Sequence, residues 1–427
     1  MAKCVVIGGG LSGIASAVFL AKNNHNVLLL ESSPKLGGRA YSFKDKSTND
    51  IIDNGQHILM GAYKHTFELL RILGTENLPF YQKSLHAAYL TKGGKRFLLR
   101  TSHNLYPFNL LQAILNFDLL NFTERIKVVK VIIKLFFIKE KNLTSKTVLE
   151  WLKENRQSEN SIKSFWELLT VSTLNTEIDE ASSLMLARVL KEIFLNGNKA
   201  STIVLPKTGL SELFCNPVED YLKKNRNEIS LSERVLKLET DNNKISKIQT
   251  NKREITDFDY VISAVPFYSL QKIFVELPFI KEVSKNIETS PIVTVHLWLS
   301  ENLFEEKFYG LIDSKIHWVY NNKSHISIVI SSADEMVKLE SKEILRICIG
   351  ELKNYFPEFS GVEIVNYKVL KEKRATFKST PKSDYVRNKI KSPYKNFLMA
   401  GDWTNTKLPA TIEGAILSGI KMVENIC

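Results

Sequence analysis

The 427-residue sequence predicts an α/β fold: a parallel-sheet unit shared between the two ends of the chain, with an α+β domain inserted between them. Three observations predict it. A glycine-rich turn joins a short apolar strand to a helical pattern near the N-terminus, a second strand, loop and helix close the chain, and the long stretches between are amphipathic and poor in glycine. The length exceeds what one hydrophobic core usually serves, and a hydrophobic content of 44% supplies apolar material for two.

Lys3–Ile7 is a short run rich in β-branched residues, followed at once by Gly8, Gly9 and Gly10 and then by the helical pattern Ile14, Ala17, Val18, Ala21. The next strand-like run, Asn26–Leu30, leads into Glu31 and closes a βαβ unit of the size used for dinucleotide binding. Residues 76–200, with stretches 110–138 and 145–193, read as mostly helical. Strand character returns at 235–239, 244–250 and 260–264, with an opening turn and helix at 206–213. Residues 291–299 and 326–331 read as strands of a second sheet, with a helix at Ser341–Tyr355 between it and the last strands. The end of the chain is strand at 396–399, a loop at Gly401-Asp402, and helix at 409–426. These boundaries assign 1–75, 201–270 and 391–427 to the parallel unit, and 76–200 and 271–390 to the inserted domain.

Lys and Arg number 58 against 46 Asp and Glu, a formal charge of +12. The basic residues are scattered lysines without an RNA- or DNA-binding motif, so a nucleic-acid partner is not expected. No apolar run of about 18 residues exists, so any membrane contact is expected to be peripheral. Cys4, Cys215, Cys348 and Cys427 form no CxxC or Cys/His cluster, and a strand starting two residues after Met1 leaves no room for a signal peptide. A reducing, cytoplasmic setting without disulfides or a metal is the expectation.

Gly8-x-Gly10-x-x-Gly13 places glycine where a tight turn, a pyrophosphate and a close helix-strand contact each require it. The turn, with Ser12 inside it, opens a helix whose N-terminal N–H groups face anionic phosphates. Glu31, at the end of the second strand, can accept both hydroxyls of a ribose.

Immediately downstream stands Leu36-Gly37-Gly38-Arg39-Ala40, and here the chain resembles the amine oxidase and phytoene desaturase superfamily of flavoproteins, the GR2 type. The resemblance implies non-covalent FAD, with Gly38 and Arg39 at its phosphates. It extends to Ser232-Glu233-Arg234-Val235, where Val235 would meet the adenine through its main chain, and to Val261-Ile262-Ser263-Ala264-Val265-Pro266, the buried strand leading into the substrate domain. It also covers Phe397-Leu398-Met399-Ala400-Gly401-Asp402-Trp403 with Glu413-Gly414-Ala415. There Gly401 and Asp402 would hold the ribityl or phosphate end. The helix starting near Thr411 and Glu413 would aim its N-terminus at the flavin pyrimidine, stabilising the negative charge of the reduced ring.

Amine oxidases of this superfamily carry a Lys in a substrate-domain strand. The similar segment here, 291–299, has Thr294 at that position, so amine oxidation is a minor alternative. A narrower resemblance is to the squalene-associated desaturase-like group, the hydroxysqualene dehydroxylases of hopanoid biosynthesis. It rests on Asp53-Asn54-Gly55-Gln56-His57-Ile58-Leu59-Met60-Gly61-Ala62-Tyr63, on Leu174-Asn175-Thr176 with Ala181-Ser182, on Val295-His296-Leu297-Trp298, and on the helix start from Leu408 to Ala415. Trp166-Glu167-Leu168 departs from the group's pattern, which has Pro at the middle position and a helix starting there.

That resemblance implies hydride delivery from reduced FAD to an allylic carbon of hydroxysqualene as its hydroxyl leaves as water, with an apolar tunnel, a proton donor near the leaving oxygen and an external electron donor. Gln56, His57 and Tyr63 are the candidate catalytic residues at the flavin edge, with His57 assisting departure of the hydroxyl. His57 reads equally as a hydrogen-bonded structural histidine, His296 reads more readily as a satisfied core histidine, and Tyr63 as packing. Carotenoid desaturation and a non-catalytic FAD protein remain as alternatives. Lys127, Lys130 and Lys134 lie among Ile126, Val129, Ile133, Phe136 and Phe137 at helical spacing. Such a basic amphipathic helix fits a bilayer interface, the inner face of the cell membrane, where a lipophilic isoprenoid substrate would enter. An apolar stripe buried in the second domain is the competing reading.

Overall fold

β1 (Lys3–Ile7) alternates between two cores: Cys4 and Val6 point to one side, Val5 and Ile7 to the other, and all four are buried. The computed structural model describes residues 1–102, 106–274, 277 and 279–427. β1 lies at the centre of a five-stranded parallel sheet, between β2 (Asn26–Leu30) and the strand Tyr260–Ser263, with Glu228–Ser230 and Phe397–Met399 at the edges. Strands from both ends of the chain and from its middle therefore share one sheet.

Helix α1 (Leu11–Lys22) covers one face of that sheet and is buried from Leu11 to Ala21, so it is apolar all round rather than amphipathic. The loop before it turns through Gly8 at φ 104°, a left-handed conformation natural to glycine. The C-terminal helix Ile412–Glu424 packs on α1 so closely that a Cβ on Gly419 would lie 2.3 Å from the Ser12 carbonyl oxygen.

The second sheet has seven strands, in the order Ile364–Phe377, Thr289–Leu299, Ile326–Ile330, Trp318–Asn321, Phe308–Leu311, His86–Leu90 and Arg96–Arg100. All pairs are antiparallel except Phe308–Leu311 with His86–Leu90. Two of these strands come from the region expected to be mostly helical. Ile364–Phe377 is an edge strand, and Lys368, Lys371, Lys373 and Arg374 interrupt its apolar pattern as edge strands tolerate.

Helices cover one end of this sheet. The run expected as 110–138 is two helices, Phe108–Leu115 and Phe122–Phe137, the second opened by a capping box of Asn121 and Glu124. Thr147 and Glu150 form another at Val148–Glu154. No helix begins at Glu167: Ile162–Glu167 is a π-helical turn running on into Leu168–Leu174. That helix stops at Asn175, φ 46°, whose side chain donates to Thr376 Oγ1 at 2.8 Å and accepts from Ser332 N–H at 2.6 Å. Asn175 thus ties the helical layer to the sheet.

A Cβ at Gly13 would sit 1.8 Å from the Gly8 carbonyl oxygen, whereas one at Gly350, on the exposed face of the helix Ser341–Tyr355, would meet nothing within 4 Å. Gly13→Ala should therefore destabilise by about 1–3 kcal/mol or more, the order of an overpacked site. Gly350→Ala should stabilise by roughly 0.5–1 kcal/mol through its helix preference. Denaturant midpoints of the two variants check both signs, and equal shifts would contradict this packing.

Candidate functional site

A cavity of ≈ 780 Å³ runs from the carboxyl ends of β1 and β2 to the second sheet. At one end it meets Gly8, Gly10, Ser12 and Gly38, bare backbone around the start of α1, with Glu31 beside them. Glu31 is fixed by backbone donors: Oε2 accepts from Gly9 N–H at 2.6 Å and Oε1 from Ser33 N–H at 2.7 Å. Its remaining lone pairs are available to ribose hydroxyls. Val235 lines the same end, preceded by Glu233, which is buried and accepts from Thr250 Oγ1 at 2.9 Å and Arg253 Nε at 3.1 Å.

Arg39, expected at the FAD phosphates, and Asp402, expected at the ribityl or phosphate end, are joined in one ion pair at 2.7 Å. Arg39 also donates from Nη1 to the Ala375 carbonyl at 2.8 Å. Burial works against the guanidinium charge, and Asp402 more than restores it. Both residues line the cavity, and Arg39 has further N–H donors to offer there. Asn54, which the sequence reading gave no role, donates to the Arg39 carbonyl at 2.8 Å and accepts from Tyr41 N–H at 3.1 Å, pinning the Arg39 loop. Gly401 adopts φ 140°, with the Trp403 indole beneath it.

At the cavity's other end stand Gln56, His57, Ile292 and Thr294. His57 Nδ1 lies 2.6 Å from the Gly55 carbonyl. A carbonyl only accepts, so Nδ1 carries the proton and Nε2 is left as an acceptor; burial lowers the imidazole pKa and keeps it neutral. In this neutral form His57 Nε2 accepts a hydrogen bond, and the proton-donating role expected of it requires the imidazolium. Thr294 lies beside Gly55. Among the described residues Lys272 is the one lysine in the lining, and it sits on the helix Phe267–Ile273, away from the sheet position where amine oxidases carry theirs.

Three expected site residues do not face the cavity. Glu413 is buried and spends its carboxylate on α2 (Lys64–Leu73): Oε1 accepts from His65 N–H at 3.0 Å and Oε2 from Thr66 N–H at 2.8 Å and Thr66 Oγ1 at 2.6 Å. Tyr63 precedes that helix and packs into the core around α1, where burial raises its pKa. Gly13 meets the Gly8 carbonyl, serving helix-strand packing alone. Thr411 does line the cavity, and its Oγ1 caps the C-terminal helix by accepting from Gly414 N–H at 3.1 Å. His296 lies behind the lining, buried at 1% exposure, and burial pushes its pKa down to about 3. No cluster of metal ligands occurs among the described residues.

Residues 11–427 match the family of flavin containing amine oxidoreductases. The chain belongs to that family. It is 24% identical to a hydroxysqualene dehydroxylase of Zymomonas mobilis subsp. mobilis over 97% of this chain and 96% of that protein. It is 26% identical to a 15-cis-phytoene desaturase of Glycine max over 97% of this chain and 77% of that protein. An oxidoreductase from Methanosarcina mazei shares its fold, with a TM-score of 0.75 at 18% identity, covering 99% of this chain and 100% of that one.

As a flavin containing amine oxidoreductase the protein uses FAD, and the cavity fits it. Gly38 approaches Gly10 so closely that a Cβ would lie 3.0 Å from the Gly10 Cα, leaving a strip of exposed backbone suited to a pyrophosphate. None of the four cysteines lines the cavity. Denatured protein should therefore release intact FAD into the supernatant, and flavin retained on the precipitate would contradict this. Glu31→Ala should weaken FAD binding by about 1–3 kcal/mol, the order of charge-assisted hydrogen bonds to the ribose, read as flavin fluorescence gained on dilution.

Proposed function

We propose that the protein catalyses reductive loss of the hydroxyl of hydroxysqualene to give squalene. The observation that carries this reading is a pair of polar side chains, Gln56 and His57, at the end of the cavity that adjoins an apolar interior. Behind that end Ile58 and Ile292 pack against a buried hydrophobic cluster that includes Phe308, Trp318, Tyr320 and Val329. A pure hydrocarbon needs no such polar pair, whereas an alcohol uses it. Thr294 in place of a lysine disfavours amines. The match with the hydroxysqualene dehydroxylase extends over 96% of that protein, against 77% of the desaturase, and adds support.

When bound in its reduced form the cofactor would supply the hydride, and the departing hydroxyl takes up one proton, so that the alcohol, the reduced flavin anion and a proton give squalene, water and FAD. The allylic C–O bond breaks, a C–H bond forms at the same carbon, and the oxygen leaves as water. The apolar wall excludes bulk water while an allylic cation develops, so that hydride rather than solvent quenches it. Glu31 and the Arg39–Asp402 pair hold the cofactor, and Gln56 and His57 position the hydroxyl. A separate electron donor returns two electrons after each turnover.

Access from a bilayer completes the proposal. On the helix Phe122–Phe137, Val128, Val131, Ile132 and Leu135 are buried, and Val129 and Phe136 pack against the same core. A second face is exposed: Lys127, Lys130 and Lys134 stand with Phe122 at 69%, Ile133 at 41% and Phe137 at 82% exposure. Phe108, on the helix packed beside it, is 67% exposed. Basic and bulky apolar groups on one face suit an anionic lipid surface. No described helix is long and apolar enough to cross a membrane.

Two outcomes are expected. Anaerobically reduced protein given hydroxysqualene, phytoene and simple amines in turn should be reoxidised by hydroxysqualene alone, with squalene as product; desaturation of phytoene by the oxidised protein instead would replace this reading with the carotenoid one. Replacing Lys127, Lys130 and Lys134 by Glu should weaken binding to anionic liposomes by about 1 kcal/mol for each lysine lost, with FAD content unchanged. Unaltered liposome binding would move the entrance elsewhere.

A further inference from the structure

Behind Gln56 lies a chain of hydrogen bonds whose direction is set from one end. His296 Nε2 lies 3.2 Å from the Asp53 carbonyl, which can only accept, so Nε2 carries the ring proton. The ring is buried and neutral, so Nδ1 is an acceptor, and at 2.8 Å it takes the hydroxyl proton of Ser327. The Ser327 oxygen has then only lone pairs to offer. The group 2.7 Å from it, on Asn322, must be the amide NH2. The second N–H of that NH2 points to Gln56, 3.0 Å away, so the atom of Gln56 that receives it is the carbonyl Oε1. His325 Nε2 stands farther off, at 3.3 Å, and leaves the assignment unchanged.

The consequence is a fixed amide. With Oε1 held by Asn322, Gln56 has only its NH2 left, and it makes no other side-chain hydrogen bond among the described residues while lining the cavity. Next to it His57, with Nδ1 spent on the Gly55 carbonyl, has a free Nε2 lone pair and also lines the cavity. A donor and an acceptor lining the same cavity match a group that both accepts and donates. A hydroxyl does this; an ammonium only donates, and a hydrocarbon does neither.

We propose that Asn322 is a positioning residue that holds the Gln56 amide with its N–H donors in the cavity, so that Gln56 and His57 together select a hydroxyl-bearing isoprenoid over the corresponding hydrocarbon. The inference deepens the dehydroxylase reading by naming what the site recognises, and it rests on that reading for the identity of the alcohol. Asn322→Asp reverses the device: a carboxylate cannot donate, so the Gln56 NH2 turns towards it and the Gln56 carbonyl turns to the cavity. A hydroxyl would then face two acceptors and could satisfy only one.

Calorimetric titration of FAD-loaded oxidised protein in detergent micelles tests this without turnover, with farnesol and farnesene as probes. Wild type should bind farnesol about tenfold more tightly than farnesene, the order of a net neutral hydrogen bond or two. Asn322→Asp should erase that preference and leave farnesene binding unchanged. Asn322→Ala, which frees the amide without reversing it, should give a smaller loss in the same direction. In a Gln56→Leu background Asn322→Asp should have no further effect. Equal loss of both probes, or the full effect of Asn322→Asp in the absence of Gln56, would overturn the proposal. Alcohol preference without turnover of hydroxysqualene would leave this inference standing and remove the dehydroxylase reading. Turnover of hydroxysqualene with no alcohol preference would do the reverse.

Discussion

The slot that holds α1 leaves no room for a side chain on either flank. Gly13 faces the Gly8 carbonyl and Gly419 faces the Ser12 carbonyl, with clearances that any Cβ would violate. Because both contacts fall at the first turn of α1, they fix where its free N–H groups point, and hence where an anionic cofactor can sit. The second contact also makes the C-terminal helix part of the first βαβ unit. Everything between residues 31 and 396 must then leave and return to one sheet, and the cavity forms where those excursions meet it.

Polarity inside the cavity is ordered by backbone groups more than by charges. Glu31 is held by two N–H donors, His57 takes its tautomer from the Gly55 carbonyl, and the Asp53 carbonyl sets the direction of the chain that ends at Gln56. The charge pair of Arg39 with Asp402 joins the GGR loop to the C-terminal loop, residues more than 360 apart in sequence. Asp402 is buried, so removing Arg39 would leave its carboxylate unpaired at a cost. The pair closes the cavity by the same interaction that presents the remaining Arg39 donors to it.

The parallel unit was legible in the sequence because each step has a local signature: Gly8, Gly10 and Gly13 for the turn, Glu31 at a strand end, Gly401-Asp402 before the last helix. In the second sheet only the second and third strands were legible. Thr289–Leu299 and Ile326–Ile330 are buried on both faces and read as apolar runs. The edge strand Ile364–Phe377 and the pair His86–Leu90 and Arg96–Arg100 carry charges that hide their period. In the site, Gln56, His57 and Thr294 were found in the segments that point at the cavity, but Tyr63 and Glu413 were not separable from them. Whether a residue beside such a segment faces the cofactor or caps α2 is decided by tertiary hydrogen bonds across some 350 residues, as Glu413 with Thr66 shows. Asn322 left no signal for the same reason: its partner Gln56 lies 266 residues away.

These features converge on a flavoprotein site whose cavity is lined by Gln56 and His57. The most direct test is to reduce the protein anaerobically in deuterated water, add hydroxysqualene, and measure the mass of the squalene formed in a single turnover. The account predicts squalene carrying one deuterium at the carbon that bore the hydroxyl. Hydroxysqualene recovered unchanged from the fully reduced protein would contradict it.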